Sequence, residues 1–229
     1  MKHRIRMMLP CIIALFVFLY SCEEVDSEEV EPSELVTEYT LIYSEISNKT
    51  EACAYIRTRG NLFEREEVIL NPPSHVSFND ECLEHDSFFV NEYCKEFNGF
   101  VDEGVFKFSL ATSESSNELL YENIARVQPI EFSNEIPIFR GFGYAFDLNG
   151  TSLNVGDKIE IEINEGVITV EISEEDQAVM LTPQQTSEIL GNAVEVILRR
   201  IVKTDFLDTP SGGSIETIYE TAQRITVLN

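Results

Sequence analysis

From Lys158 to Ile163 apolar and charged residues alternate without a break, Asn164-Glu165-Gly166 interrupts them, and the alternation resumes from Val167 to Ile172. Successive side chains of a strand point to opposite faces, so this pattern sets Ile159, Ile161 and Ile163 on one side and Lys158, Glu160 and Glu162 on the other. Two such runs around a glycine-containing turn make a hairpin with one wet face. Only a fold that buries one side of a sheet can use it.

Similar runs recur along the chain. Residues 36–43, 52–57, 67–70, 76–78, 88–93, 105–110 and 119–127 are strand-like in the first half, and 142–148, 178–181, 193–199, 215–219 and 223–228 in the second. Pro72-Pro73, Asn98-Gly99 and Asn149-Gly150 supply turn chemistry between them. Many short strands with turns at regular spacing predict an all-β body of two antiparallel β-sandwich domains. One short helix is expected near 183–190, where Thr182 is placed to cap, Pro183 stands at the first helical position and Gly191 closes. A short helix followed by the strand 193–199 resembles the linker before the penultimate strand of immunoglobulin-like domains, which implies that topology for the second half. Pro129 cannot donate to a ladder, so the domains are set at 35–128 and 129–229.

The N-terminus follows a different logic. Lys2, His3, Arg4 and Arg6 form a basic head, and residues 7–20 form an uncharged apolar stretch too short for a comfortable membrane span. Leu19-Tyr20-Ser21-Cys22 closes it and resembles the bacterial lipobox, with Leu19, Ser21 and Cys22 matching and Tyr20 larger than the pattern prefers. The resemblance implies a lipoprotein: residues 1–21 are a signal peptide, and Cys22 is lipidated, its acyl chains holding the protein in a membrane. It places the product in the bacterial cell envelope, at the outer membrane, and the exported body in an oxidising compartment.

Residues 22–34 read as an acidic tether, because Glu23 to Glu34 carries seven carboxylates and no Lys or Arg. Such a segment buries too little apolar surface to offset its ordering entropy and is expected to stay extended and solvated. An acidic stretch after the lipidated cysteine also resembles the surface-export signals of Bacteroidota lipoproteins. The chain has 16 Lys and Arg against 41 Asp and Glu, a net charge of -25, and losing Lys2, Arg4 and Arg6 with the signal takes it to -28. That charge repels phosphate backbones, so nucleic acid is excluded as a partner.

Cys53, Cys82 and Cys94 remain after Cys11 leaves with the signal and Cys22 takes lipid. Ala52, Ala54 and Ile56 suit a core, which turns Cys53 outward, while Cys82 and Cys94 flank a loop and strand that can fold back. A Cys82–Cys94 disulfide is therefore expected, with Cys53 bonded to either partner, or three free thiols, as the alternatives. The catalytic motifs for nucleophilic elbows, phosphate loops, zinc helices and paired cysteines are missing, so no catalytic residue, metal or cofactor is assigned. His75 and His85 lie near the acids from Asp80 to Asp86, a cluster whose oxygens and one imidazole suit a divalent cation by type, but the spacing matches no cation loop and a solvated acidic loop is the expectation. Gly141-Phe142-Gly143 reads as close packing where a strand begins. Phe88, Phe89, Tyr93, Phe97 and Phe100 are either sandwich core or, if exposed together, a sugar-stacking platform. The expected function is a non-catalytic binding or structural module with a glycan or protein ligand; the alternative is an accessory or hydrolytic enzyme acting on glycans.

Overall fold

The computed structural model describes residues 24–60, 66–86, 92–111, 119–133, 136–150, 153–154, 156–163, 166–171, 178–206 and 212–229. The first half runs through β1 (Glu24–Asp26), β2 (Leu35–Ser44), β3 (Lys49–Thr58), β4 (Glu67–Ile69), β5 (His75–Phe78), β6 (Glu81–Cys82), β7 (Glu84–Asp86), β8 (Glu92–Asn98), β9 (Glu103–Leu110) and β10 (Leu119–Arg126). The second half adds β11 (Ile130–Phe132), β12 (Ile138–Phe139), β13 (Tyr144–Gly150), β14 (Lys158–Ile163), β15 (Gly166–Glu171), β16 (Ala178–Leu181), helix α1 (Pro183–Glu188), β17 (Ala193–Phe206) and β18 (Gly213–Leu228). The body is all-β, as the alternation predicts, and α1 is held by a capping box between Thr182 and Gln185.

One eleven-stranded sheet carries the order β1-β4-β3-β2-β18-β17-β14-β15, with β7, β8 and β12 attached. A four-stranded sheet, β10-β9-β5-β6, and a three-stranded sheet, β11-β13-β16, complete the fold. Register shows how they stack. Tyr39 and Leu41 of β2 lie opposite Ile215 and Thr217 of β18, and Tyr219 of β18 lies opposite Arg200 of β17, which is opposite Ile159 of β14. Directly opposed residues share a face, so one continuous face of the large sheet is buried across both halves of the chain. Tyr39 stacks on Phe106 of β9 with ring centroids 4.5 Å apart, which seats the four-stranded sheet on that face. Burial pushes the Tyr39 hydroxyl up to about 12, so it stays neutral in the core at ordinary pH.

Three features differ from the sequence reading. The runs 215–219 and 223–228 are one long strand, because Thr221 continues the inward alternation between them. β18 also pairs in parallel with β2, from Gly213 opposite Thr37 to Glu220 opposite Ser44, so a ladder joins the two halves. The acidic segment is not free along its length: β1 pairs in parallel with β4, Ser27 donates to the Ile69 carbonyl at 2.9 Å, and Val25 packs against the core. Counting its charges overlooked that Val25 and Ser27 alternate with them, and that an open edge at β4 gains backbone partners from any strand laid beside it.

The expected Cys82–Cys94 disulfide does not form; Cys53 and Cys94 are bonded instead, and Cys82 is a free exposed thiol. Cys53 and Cys94 are direct partners in the β3–β8 ladder with Cα atoms 4.2 Å apart, whereas Cys82 lies opposite Ser77 in the four-stranded sheet. Cys53 does turn away from the core that Ala52, Ala54 and Ile56 join, and Cys94 meets it on that face. Cys53→Ala is expected to lower the unfolding free energy by about 2–4 kcal/mol, since it reopens the unfolded chain across the bridge. Cys82→Ala is expected to change it by less than about 0.5 kcal/mol. Urea unfolding of both variants checks this; equal losses would place the bridge elsewhere.

Candidate functional site

The chain after Pro137 makes a corner. Ile138, fully buried, and Phe139, facing out, pair in parallel with Val227 and Leu228 at the end of β18. Phe142 then donates its backbone N–H to the Phe139 carbonyl at 3.2 Å, closing a turn in which Gly141 has φ 76°. Positive φ at that third position is where a side chain costs most, so glycine belongs there. The turn exposes the Phe142 ring to 67% and delivers the chain into β13.

Six hydrogen bonds brace this corner, five to other parts of the fold and one within it. The Arg140 guanidinium donates to the Ile189 carbonyl at 3.1 Å and also reaches the Gly191 carbonyl and the Asn229 side chain. Its backbone N–H donates to Leu228 at 2.9 Å. The hydroxyl of Thr186, the buried residue of α1, donates to the Phe142 carbonyl at 2.8 Å, and the Tyr144 hydroxyl donates to the Ile136 carbonyl at 2.8 Å. Burial raises the Tyr144 pKa, and the charge of Asp147 adds to it, so that hydroxyl stays a donor. The rings are thus presented by a braced frame, which lowers the ordering entropy that a ligand must offset.

Between them lies a cavity of about 520 Å³ lined by Ile136, Phe139, Phe142, Tyr144, Ala145 and Asp147 among others. The apolar surface continues past it. Met180 lies opposite Ala145, Leu228 lies opposite Phe139, and Leu190 sits between the two carbonyls that Arg140 clamps. Six of the eleven exposed large apolar side chains among the described residues gather at this corner. Scattered apolar side chains are ordinary on a surface, whereas a contiguous rimmed patch marks an interaction site.

The residues singled out in the sequence fare differently. Cys22, Phe88 and Phe89 lie outside the described residues. Tyr93 is buried and its hydroxyl accepts the Leu70 N–H at 2.7 Å, Phe97 packs edge-on against Phe78, and Phe100 is exposed against Tyr43. Among the described rings, no shared platform forms. His75 and His85 are both exposed, and two of the acids near them are ion-paired, Asp80 with Lys107 at 2.5 Å and Glu81 with Lys95 at 3.0 Å. The metal-competent group found among the described residues is Glu51, Cys53 and Cys94, and its two sulfurs are bonded to each other.

Sequence reasoning read Gly141-Phe142-Gly143 as packing and missed the corner. The available signal was an apolar ring set between two glycines at the very start of the run 142–148, where a turn and not the ladder decides which way it points.

No family model and no curated protein matches the sequence. Among solved structures, the chain is similar to SGBP-B of the Bacteroides ovatus mixed-linkage glucan utilization locus, in complex with a mixed-linkage heptasaccharide, at 11% identity and a TM-score of 0.20. The match covers 85% of this chain and 60% of that one, so the chain spans about three-fifths of the length of the protein it matches. A TM-score of that size sets no residue of one chain beside a residue of the other.

Proposed function

We propose that this chain is an exported lipoprotein, acylated at Cys22 and held in the cell envelope at the outer membrane, whose β body is a non-catalytic binding module. The observation that carries the binding role is the braced apolar corner from Ile136 to Asp147, where exposed rings stand on a frame fixed by Arg140, Thr186 and Tyr144. Its ligand is a glycan or a protein. The anchor rests on Leu19, Ser21 and Cys22 behind an apolar leader. Among the described residues no helix is long and apolar enough to cross a membrane, and attachment falls to lipid in this reading.

Pairing of Glu24–Asp26 with β4 has a consequence for that anchor. The chain is paired to the body from Glu24 onward, so in this reading one residue of sequence, Glu23, separates the lipidated Cys22 from the first strand, and the link from lipid to body is short.

Intact-mass analysis of the membrane fraction tests the anchor. The wild type is expected there without residues 1–21 and carrying acyl mass, and Cys22→Ala is expected to keep its leader and carry none. A wild type with its leader attached, or a lipid-free product in the medium, would overturn the reading.

A further inference from the structure

Resting on the binding role of the corner, we infer that its occupant is a polypeptide: an apolar segment of a partner protein with Lys or Arg residues beside it. The lining decides the class. Of the residues that line the cavity, Asp147 alone is acidic or basic by type, and the one hydroxyl, on Tyr144, is already donated to the Ile136 carbonyl. A sugar presents several hydroxyls per ring and needs convergent polar side chains to replace their water, while this surface offers Ile136, Phe139 and Phe142. Apolar side chains of a peptide ask for no more than that. Rings in a desolvated pocket surrounded by a polar rim are the composition of energetic centres in protein interfaces.

Charge selects among peptides. Asp147 and Glu131 lie on the outer face of the three-stranded sheet, where Glu131 opposes Asn149, two residues along β13 from Asp147. Arg140 is the one cation between Glu131 and Asp157, and its donors are spent on Ile189, Gly191 and Asn229. The charge that lines the cavity is therefore acidic, Asp147 with Glu131 near it, within a body whose processed charge is -28 after loss of Lys2, Arg4 and Arg6 from a chain at -25. Such a field draws basic segments in and repels acidic ones, a second copy of this chain included.

The test uses the acylated protein in phosphatidylcholine vesicles, with protein-free vesicles as reference. Three probes are titrated: an eight-residue peptide alternating Leu and Lys, its Leu and Glu counterpart, and cellohexaose. The Lys peptide is expected to bind and the other two are not. Phe142→Ser, at an exposed position where melting is expected to stay unchanged, is expected to weaken it about tenfold, and Asp147→Asn by several-fold with a reduced salt dependence. Lys-peptide binding that survives Phe142→Ser, or equal binding of the Glu peptide, overturns the inference. Cellohexaose binding that is lost in Phe142→Ser overturns the peptide class and leaves the binding role standing, as does a dimer that Phe142→Ser dissolves. If none of the probes binds and the protein stays monomeric, this inference fails together with the role assigned to the corner.

Discussion

Asp157→Ala is expected to lower the unfolding free energy by about 3–5 kcal/mol, because it strips a buried guanidinium of its counter-charge. The Arg200 side chain is wholly buried and Asp157 nearly so. Arg200 Nε and Nη2 both donate to Asp157 Oδ2, at 3.1 and 2.5 Å, and Nη2 also donates to Gln128 Oε1 at 2.6 Å. Gln128 and Pro129 are the crossing from β10 to β11, from the four-stranded to the three-stranded sheet. Arg200 thus fastens that crossing to the face of the large sheet, and Asp157 is the group that makes its burial tolerable. The same carboxylate accepts the Asn154 N–H at 3.0 Å, which orients it.

Two controls separate charge from packing. Asp157→Asn keeps an acceptor and loses the charge, so an intermediate loss is expected. The pair Arg200→Met with Asp157→Leu removes both charges, and most of the loss should return, since apolar replacement of a whole buried pair is often near neutral. Urea unfolding with unchanged slope measures all three. A wild-type midpoint for Asp157→Ala would show that the contact contributes nothing.

Arg200 also shows what was legible in the sequence. Val194, Val196 and Leu198 alternate inward, and the same period carries Arg200 to the core face and Arg199 to the wet one, where Glu162 and Glu220 meet it. Ending the strand at Arg199 hid this, since a second adjacent arginine looks like solvent. Signals confined to a few neighbouring residues were readable: the β14–β15 hairpin from its alternation, and α1 from Thr182, Pro183 and Gly191. Pairings between distant segments were not. Cys53 meets Cys94 because β3 adopts β8 as its neighbour, and β2 meets β18 across most of the chain, and no local period records a choice of partner. The corner escaped for a related cause. Phe139 and Phe142 resemble core residues by type, and their exposure follows from a parallel pairing with Leu228 and a clamp on Gly191, both distant in sequence.

The sandwich itself is tested at Phe106, where Phe106→Ala is expected to cost about 3–5 kcal/mol. The ring is fully buried, stacks on Tyr39 of the large sheet at 4.5 Å and meets Phe78, its partner in the β5–β9 ladder, at 4.8 Å. Its removal opens a void between the two sheets. The void has little means of closing, because Tyr39 is held in the β2–β3 and β2–β18 ladders and Phe78 is backed by Phe97 and by the bare backbone of Gly104, where a Cβ would run into the Phe78 ring. Rigid walls keep the cavity term near its upper range, since relaxation is what reduces it. Phe106→Leu fills most of the space and is expected to cost less than about 1.5 kcal/mol. Thermal unfolding by calorimetry reads both, and a small loss for Phe106→Ala would mean that the four-stranded sheet does not rest on the large sheet through this ring.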